Sequence, residues 1–241
     1  MNARLQDTQS ALSAEQAIGQ IAVELPGSTA VFRRLKLDFC CGGQISLREA
    51  AAQKSLDVDA ILAELSQLQR STNLPGITSP AELVDHILAR YHEVHRAQLP
   101  ELIRMARRVE AVHRDNPEVP AGLADTLEAM HEELLSHMEK EETILFPMLK
   151  TGGNAFVVHP IGMMRAEHVD HGVALDKLNA LTNDATPPQG ACNTWRALYA
   201  GIAQLNDDLI NHIHLENNVL FPQFEASSKA GGCGTSACSC S

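Results

Sequence analysis

Apolar residues recur at three- and four-residue spacing through most of the chain, and no stretch of useful length alternates apolar with polar. The pattern predicts an all-α protein. Four short amphipathic segments come first: SAEQAIGQIAVEL (13–25), STAVFRRLKL (28–37), SLREAAAQKS (46–55) and DVDAILAELSQLQ (57–69). Ser or Asp heads each one, as an N-cap would. The run STNLPGITSP (71–80), rich in Ser, Thr, Pro and Gly, then breaks the pattern and reads as a linker. Four longer helical segments follow, at roughly 80–113, 121–148, 160–183 and 194–223. They are separated by RDNPEVPAG, KTGGN and NDATPPQGACN, all turn or breaker chemistry. Four helices joined by short connections pack by default as an up-and-down four-helix bundle. The expected organisation is a small helical N-terminal domain (1–70), a linker (71–80), a bundle (81–225) and a tail (226–241). The small residues of SSKAGGCGTSACSCS leave that tail nothing to bury, so it reads as flexible.

With 241 residues, 44% of them hydrophobic, the chain is long enough to bury a substantial core. A formal net charge of −11 opposes phosphate backbones and anionic headgroups, which argues against nucleic acid and membrane surfaces as partners. The N-terminus MNARLQDTQSALSAEQ lacks the apolar core of a signal peptide, and no apolar run reaches membrane-spanning length. The six cysteines fall as an adjacent pair, a single Cys192 and a C-terminal cluster, in a chain too long to need stapling. A cytoplasmic, reducing location fits.

The chemistry lies in a duplication. HMEKEETILFP (137–147) and HIHLENNVLFP (212–222) place His137 and Glu141, and His212 and Glu216, in the same relative positions, each followed by Leu-Phe-Pro. Residues four apart on a helix project side by side, so each pair can grip one ion. Aligning the copies sets Glu139 opposite His214 and Glu142 opposite Asn217, which leaves Glu141 and Glu216 as the shared acids. One turn earlier Glu133 matches Asp208. These two acids would either accept a proton from a ligating imidazole or form a solvated edge. The other helices repeat as well: His92 and His168 are 76 residues apart, and so are His95 and His171. Spacing alone does not choose between these two histidine pairs.

Two halves related by a pseudo-twofold would converge four imidazoles and two carboxylates. Six ligands exceed one tetrahedral zinc but suit two metal ions roughly 3.5 Å apart with bridging carboxylates. Imidazole and carboxylate inside a helical bundle suit iron, and a His-rich set with few carboxylates leaves a position open for a small diatomic ligand. A metal-free alternative would bury imidazoles and carboxylates at high cost.

The stretches DFCCGG (38–43), RYHEVHRAQLPEL (90–102), HEELLSHMEKEETILFPM (131–148), EHVDHG (167–172), TPPQGACNTWRALY (186–199) and DDLINHIHLENNVLFP (207–222) together carry a family resemblance. Over residues 10–225 the chain resembles the bacterial repair-of-iron-centres di-iron proteins of the YtfE/ScdA type, which have a hemerythrin-like bundle. The resemblance implies two non-haem iron ions, oxo- or hydroxo-bridged, held by His92, His137, Glu141, His168, His212 and Glu216, with the glutamates bridging. It makes His95 a packing or supporting residue and gives His171 no ligand role. The implied function is repair of iron-sulfur clusters damaged by nitric oxide or peroxide, with damaged iron-sulfur proteins as clients. Binding, and enzymatic reduction, of nitric oxide, or binding of dioxygen, is the alternative. A homodimer is compatible with the small terminal module.

Cys40 and Cys41 are adjacent, so a disulfide between them would be strained. Open backbone at Gly42 and Gly43 and a helix starting near Ser46 suggest a lowered thiol pKa. The pair reads either as two buried hydrophobe-like cysteines or as thiols that accept electrons, meet a partner or handle iron; the resemblance supports the second. The spacing of Cys233, Cys238 and Cys240 matches no standard zinc motif.

Overall fold

The computed structural model describes residues 12–25, 27–68 and 79–225. Most of the expected linker, and the tail with its three cysteines, lie outside them. The described residues form helices and no strand, with one isolated bridge between Ala17 and Ser46. No described helix is long and apolar enough to cross a membrane. The chain divides into two compact units, Met1–Gly76 and Ile77–Ser241.

The first unit holds four short helices: α1 (Ile18–Glu24), α2 (Ser28–Arg34), α3 (Leu47–Gln53) and α4 (Val58–Leu65). Two caps follow the sequence: Ser46 accepts from the Glu49 N–H, and Asp57 from those of Asp59 and Ala60. The other two do not. Helix α1 starts at Ile18 rather than near Ser13, because Ala17 is extended against Ser46 and the Ile18 N–H donates to Ile45 O. At α2 the N-cap is Gly27, while the Ser28 hydroxyl turns back to Ile21 O. Phe32 and Phe39, both buried, meet at 5.7 Å and fix the loop that leads to Cys40 and Cys41.

The second unit contains α5 (Pro80–Ile87), α6 (Glu93–Val112), α7 (Leu123–Lys140), α8 (Phe146–Lys150), α9 (Val158–Thr182) and α10 (Asn193–Leu215). A capping box formed by Ser79 and Glu82 starts α5, with Pro80 in its first turn. Helix α6 packs on α7, α7 on α9, α9 on α10, and α10 back on α6, which closes the four long helices into a bundle. Three π-helical segments interrupt the α geometry: Leu88–His92, Glu141–Leu145 and Glu216–Leu220. The second and third close with N–H bonds from Phe146 to Glu141 O and from Phe221 to Glu216 O. Each copy of the duplicated motif thus ties its glutamate to its phenylalanine across one widened turn. The proline that follows lacks the N–H an α ladder would need, and Pro147 falls in the first turn of the helix that restarts as α8.

Helices α6 and α10 approach closely at Gly201 on α10, whose carbonyl accepts from Gln98 Nε2 on α6. A Cβ there would stand 2.6 Å from Leu102 Cδ2, and Leu102 is buried. Gly201→Val should therefore destabilise the bundle by about 1–3 kcal/mol through overpacking, read as a lower denaturant midpoint at unchanged slope. Wild-type stability would mean that α6 and α10 separate freely.

Candidate metal centre

The sequence places His92 at the end of the first π segment, Glu141 and Glu216 at the start of the other two, and His137 and His212 one turn before those glutamates. His168 lies mid-way along α9. All six side chains are buried. They form two overlapping clusters, His92, Glu141, His212 and Glu216, and His137, Glu141, His168 and Glu216; within each, one ligand atom per residue lies within 4.8 Å of the others. Both glutamates belong to both clusters.

The inward-facing atoms are the imidazole Nε2 nitrogens. His92 and His212 approach at 3.2 Å, His137 and His168 at 3.1 Å. One oxygen of Glu141 stands 3.3 Å from His92 and the other 3.4 Å from His137. Glu216 reaches His212 at 3.2 Å and His168 at 3.1 Å in the same divided way.

Outward-facing nitrogens explain why the rings point so. His92 Nδ1 donates to Glu142 at 2.7 Å, His137 Nδ1 to Glu167 at 2.8 Å, and His168 Nδ1 to Asn217 at 2.9 Å. Each bond fixes the tautomer and leaves Nε2 with its lone pair directed at the centre. Arg96 holds Glu142 at 2.8 Å, and Lys140 holds Glu167 at 2.6 Å. Burial pushes both carboxylates up, but these cations and the imidazoles outweigh it and keep them below their ordinary range. Phe146 stacks on His92 at 5.6 Å and Phe221 on His168 at 6.1 Å. The phenylalanine of each duplicated motif therefore walls the single histidine of its own half, beneath a shared apolar cluster that includes Leu145, Phe146, Leu220 and Phe221.

Of the two roles open to Glu133 and Asp208, neither residue takes the first: Asp208 is buried and pairs with Arg90 at 2.5 Å, while Glu133 is exposed and lines a cavity, as a solvated edge would. The acceptors are Glu142 and Asn217, which the alignment had set opposite each other and set aside as unlike. What the repeat keeps is the acceptor oxygen, not the charge. His95 and His171 stand behind the clusters, with ring centroids 5.5 Å from His212 and 4.8 Å from His137. Burial, and then the neighbouring imidazoles, push each down to about 3, so both are neutral.

Burial also pushes His92 and His137 down, but the surrounding glutamates reverse it: His92 is raised above its usual value and His137 is raised to about 9. Each cluster thus contains one imidazole drawn toward positive charge. Glu141 and Glu216 are lowered, the imidazoles outweighing burial.

The halves are not equivalent. The position that matches Glu167 is Tyr91, whose ring lies parallel to His212 at 5.3 Å, and His212 Nδ1 has no hydrogen-bond partner among the described residues. A cavity of about 770 Å³, lined by Met130, Glu133, Lys140, Glu167, Asp170 and His171 among others, reaches the other half.

In the first unit, Cys40 and Cys41 are partly buried with their sulfurs 3.8 Å apart, and neither is in a disulfide. The expected lowering of thiol pKa does not hold at Cys40. Its contact with Cys41, burial and the nearby Asp38 all raise it.

An imidazole whose Nδ1 acceptor is lost typically costs 10–100-fold in metal affinity. If each cluster holds one ion, stepwise chelation should remove the one beside His92 and His212 at least tenfold more readily than the other, and Glu167→Ala should narrow that gap. Metal per chain measured against chelator concentration checks it, and simultaneous loss of both ions refutes the inequality. His95→Gln and His171→Gln should each retain both ions.

Comparison with known proteins bears on the same residues. The Hemerythrin HHE cation binding domain matches residues 83–224, and a domain of unknown function, DUF542 (ScdA_N), matches residues 14–69. The chain is 51% identical over 211 residues to the iron-sulfur cluster repair protein YtfE of Citrobacter koseri, covering 87% of this chain and 96% of that one. It is 50% identical over 212 residues to the protein of the same name from Dickeya chrysanthemi, with the same coverage.

Proposed function

We infer the function from the family: this chain belongs to the bacterial iron-sulfur cluster repair proteins built on a hemerythrin HHE cation-binding domain. We read it as a di-iron protein that restores iron-sulfur clusters damaged by nitrosative or oxidative stress, by supplying iron to damaged client proteins.

The observation that carries the reading is the sharing of Glu141 and Glu216 between two imidazole pairs. The donor set fits two cations and little else. Both oxygens of Glu141 and Oε2 of Glu216 are buried without a hydrogen-bond partner among the described residues, a cost that a bridging role would offset. Facing Nε2 atoms at 3.1 and 3.2 Å repel as two lone pairs and attract once a proton or a metal cation stands with them. His92 and His212 would hold one iron, His137 and His168 the other, with the two glutamates spanning both. Imidazole and carboxylate suit iron, which when bound would supply redox and Lewis-acid chemistry at an open coordination position. Glu142, Glu167 and Asn217 keep the imidazoles in the ligating tautomer. Phe146 and Phe221 keep water from one side.

The Cys40–Cys41 pair belongs in this scheme as the thiols that handle iron or electrons. Cysteines without disulfides among the described residues suit the cytoplasm. A second reading, binding or reduction of nitric oxide or binding of dioxygen, draws on the cavity lined by Glu167 and His171, both in contact with His137, which is large enough to admit a diatomic ligand.

Iron per chain and the visible spectrum, measured on protein purified without oxygen, test the proposal together with reactivation of a nitric-oxide-damaged iron-sulfur enzyme. Close to two irons are expected, and a His137→Ala, His212→Ala variant should lose both iron and repair. Cys40→Ser, Cys41→Ser should keep the iron and lose repair. Absence of iron, or one tightly held zinc, overturns the reading. Sustained nitric oxide consumption with iron retained would move the assignment to scavenging.

A further inference from the structure

Apart from the bundle, one other group of side chains among the described residues has its ligand atoms gathered within 4.8 Å: Asp38, Cys40 and Cys41. Asp38 is exposed and the cysteines are partly buried, so the group faces solvent at the surface of the first unit. Its geometry is held from several directions. Asp38 Oδ1 accepts from the Cys41 N–H at 2.9 Å, and Oδ2 from the Gly42 N–H at 3.0 Å. Gly42 is needed for this wrap, since a Cβ there would lie 3.0 Å from Asp38 O and 3.1 Å from its Oδ2. Buried Leu37 and Phe39 anchor the loop on one side. On the other, the Gly19 N–H donates to Gly43 O at 2.8 Å.

We propose that Asp38, Cys40 and Cys41 form a second, solvent-accessible site for a thiophilic divalent cation, with two thiolates and one carboxylate as ligands and a fourth position left open. Two thiolates ligating one tetrahedral ion at about 2.3 Å stand roughly 3.8 Å apart. The Cys40 and Cys41 sulfurs are 3.8 Å apart, and Cys40 Sγ is 3.4 Å from Asp38 Oδ1. Two of the three edges of such a site are already in place, and the third lies within 4.8 Å.

The electrostatics agree. Two thiols and a carboxylate crowd one another, and negative charge on Cys40 is opposed by its neighbours until a cation arrives. On binding, each thiol present as S–H loses its proton to solvent and its sulfur bonds the ion. Two thiolates and a carboxylate around a divalent ion leave a net charge of −1. An open position and an exposed carboxylate suit exchange rather than storage. Within the repair reading, on which this role rests, the ion would be ferrous iron in transit.

Cobalt(II) titrated anaerobically into the full-length, iron-loaded protein tests the site, because thiolate-to-cobalt charge transfer reports sulfur ligation and the bundle clusters contain no sulfur. One equivalent should develop the band. Cys40→Ser, Cys41→Ser should abolish it, and Asp38→Asn should weaken the apparent affinity at least tenfold. Cys233→Ser, Cys238→Ser, Cys240→Ser should leave it intact. Should Asp38→Asn unfold the loop, Cys41→Ser alone, which keeps both backbone bonds of Asp38, must still remove the band. No band, a band that survives in the Cys40, Cys41 double variant, or wild-type affinity in a folded Asp38→Asn protein overturns the proposal. Iron per chain, followed in the same samples, keeps a failure here separate from a failure of the di-iron reading.

Discussion

Two carboxylates buried at the middle of a helical bundle impose most of what surrounds them. Glu141 and Glu216 are inaccessible to solvent, and each divides its two oxygens between one imidazole of each cluster. Such a pair is expensive to keep ionised unless positive charge lies between, so the fold has to deliver four imidazoles to the same point in one tautomer. That demand accounts for Glu142, Glu167 and Asn217 on the outer nitrogens, and for Arg96 and Lys140 behind two of these. It also accounts for the phenylalanines that wall the rings. Without the central carboxylates none of these contacts has a clear purpose.

The backbone makes the same concession three times. A π segment ends at His92, another begins at Glu141 and a third at Glu216. A widened turn costs helix stability, and such turns gather where a function needs them. In the two duplicated motifs the turn ties the glutamate to the phenylalanine five residues on, so the central carboxylate and the ring that walls its neighbouring imidazole are held by one backbone bond. Leu-Phe-Pro is the sequence trace of that coupling: a core leucine, a ring wall and a proline placed where an N–H is not needed.

Helical periodicity made the bundle legible, because its helices are long and their apolar faces are continuous. The first unit was harder to read: α1 and α2 are a turn or two long, and their starts are decided by an extended pairing of Ala17 with Ser46 and by a glycine cap, neither of which leaves a period. The repeat leaves the choice between His92/His168 and His95/His171 open, because both pairs share one spacing; in the structure it is the rings of His92 and His168 that turn Nε2 toward the shared glutamates. Glu142 and Asn217 share an acceptor oxygen and not a residue type, so the repeat does not mark them in the sequence. Glu167 is unmarked too, because its counterpart, Tyr91, does something else.

That last difference separates the halves chemically. Around His137 and His168 every outer nitrogen is satisfied, and Glu167 is itself clamped by Lys140, so that pair is rigid and rich in electron density. Around His92 and His212 one outer nitrogen, His212 Nδ1, has no hydrogen-bond partner among the described residues, and Tyr91 orients the ring by stacking parallel on it. A duplicated scaffold that had only to store two ions would have no use for this inequality. If each cluster held an ion, the His137–His168 side, with both outer nitrogens bonded, would be the firmer of the two, and the shared glutamates would stay anchored there.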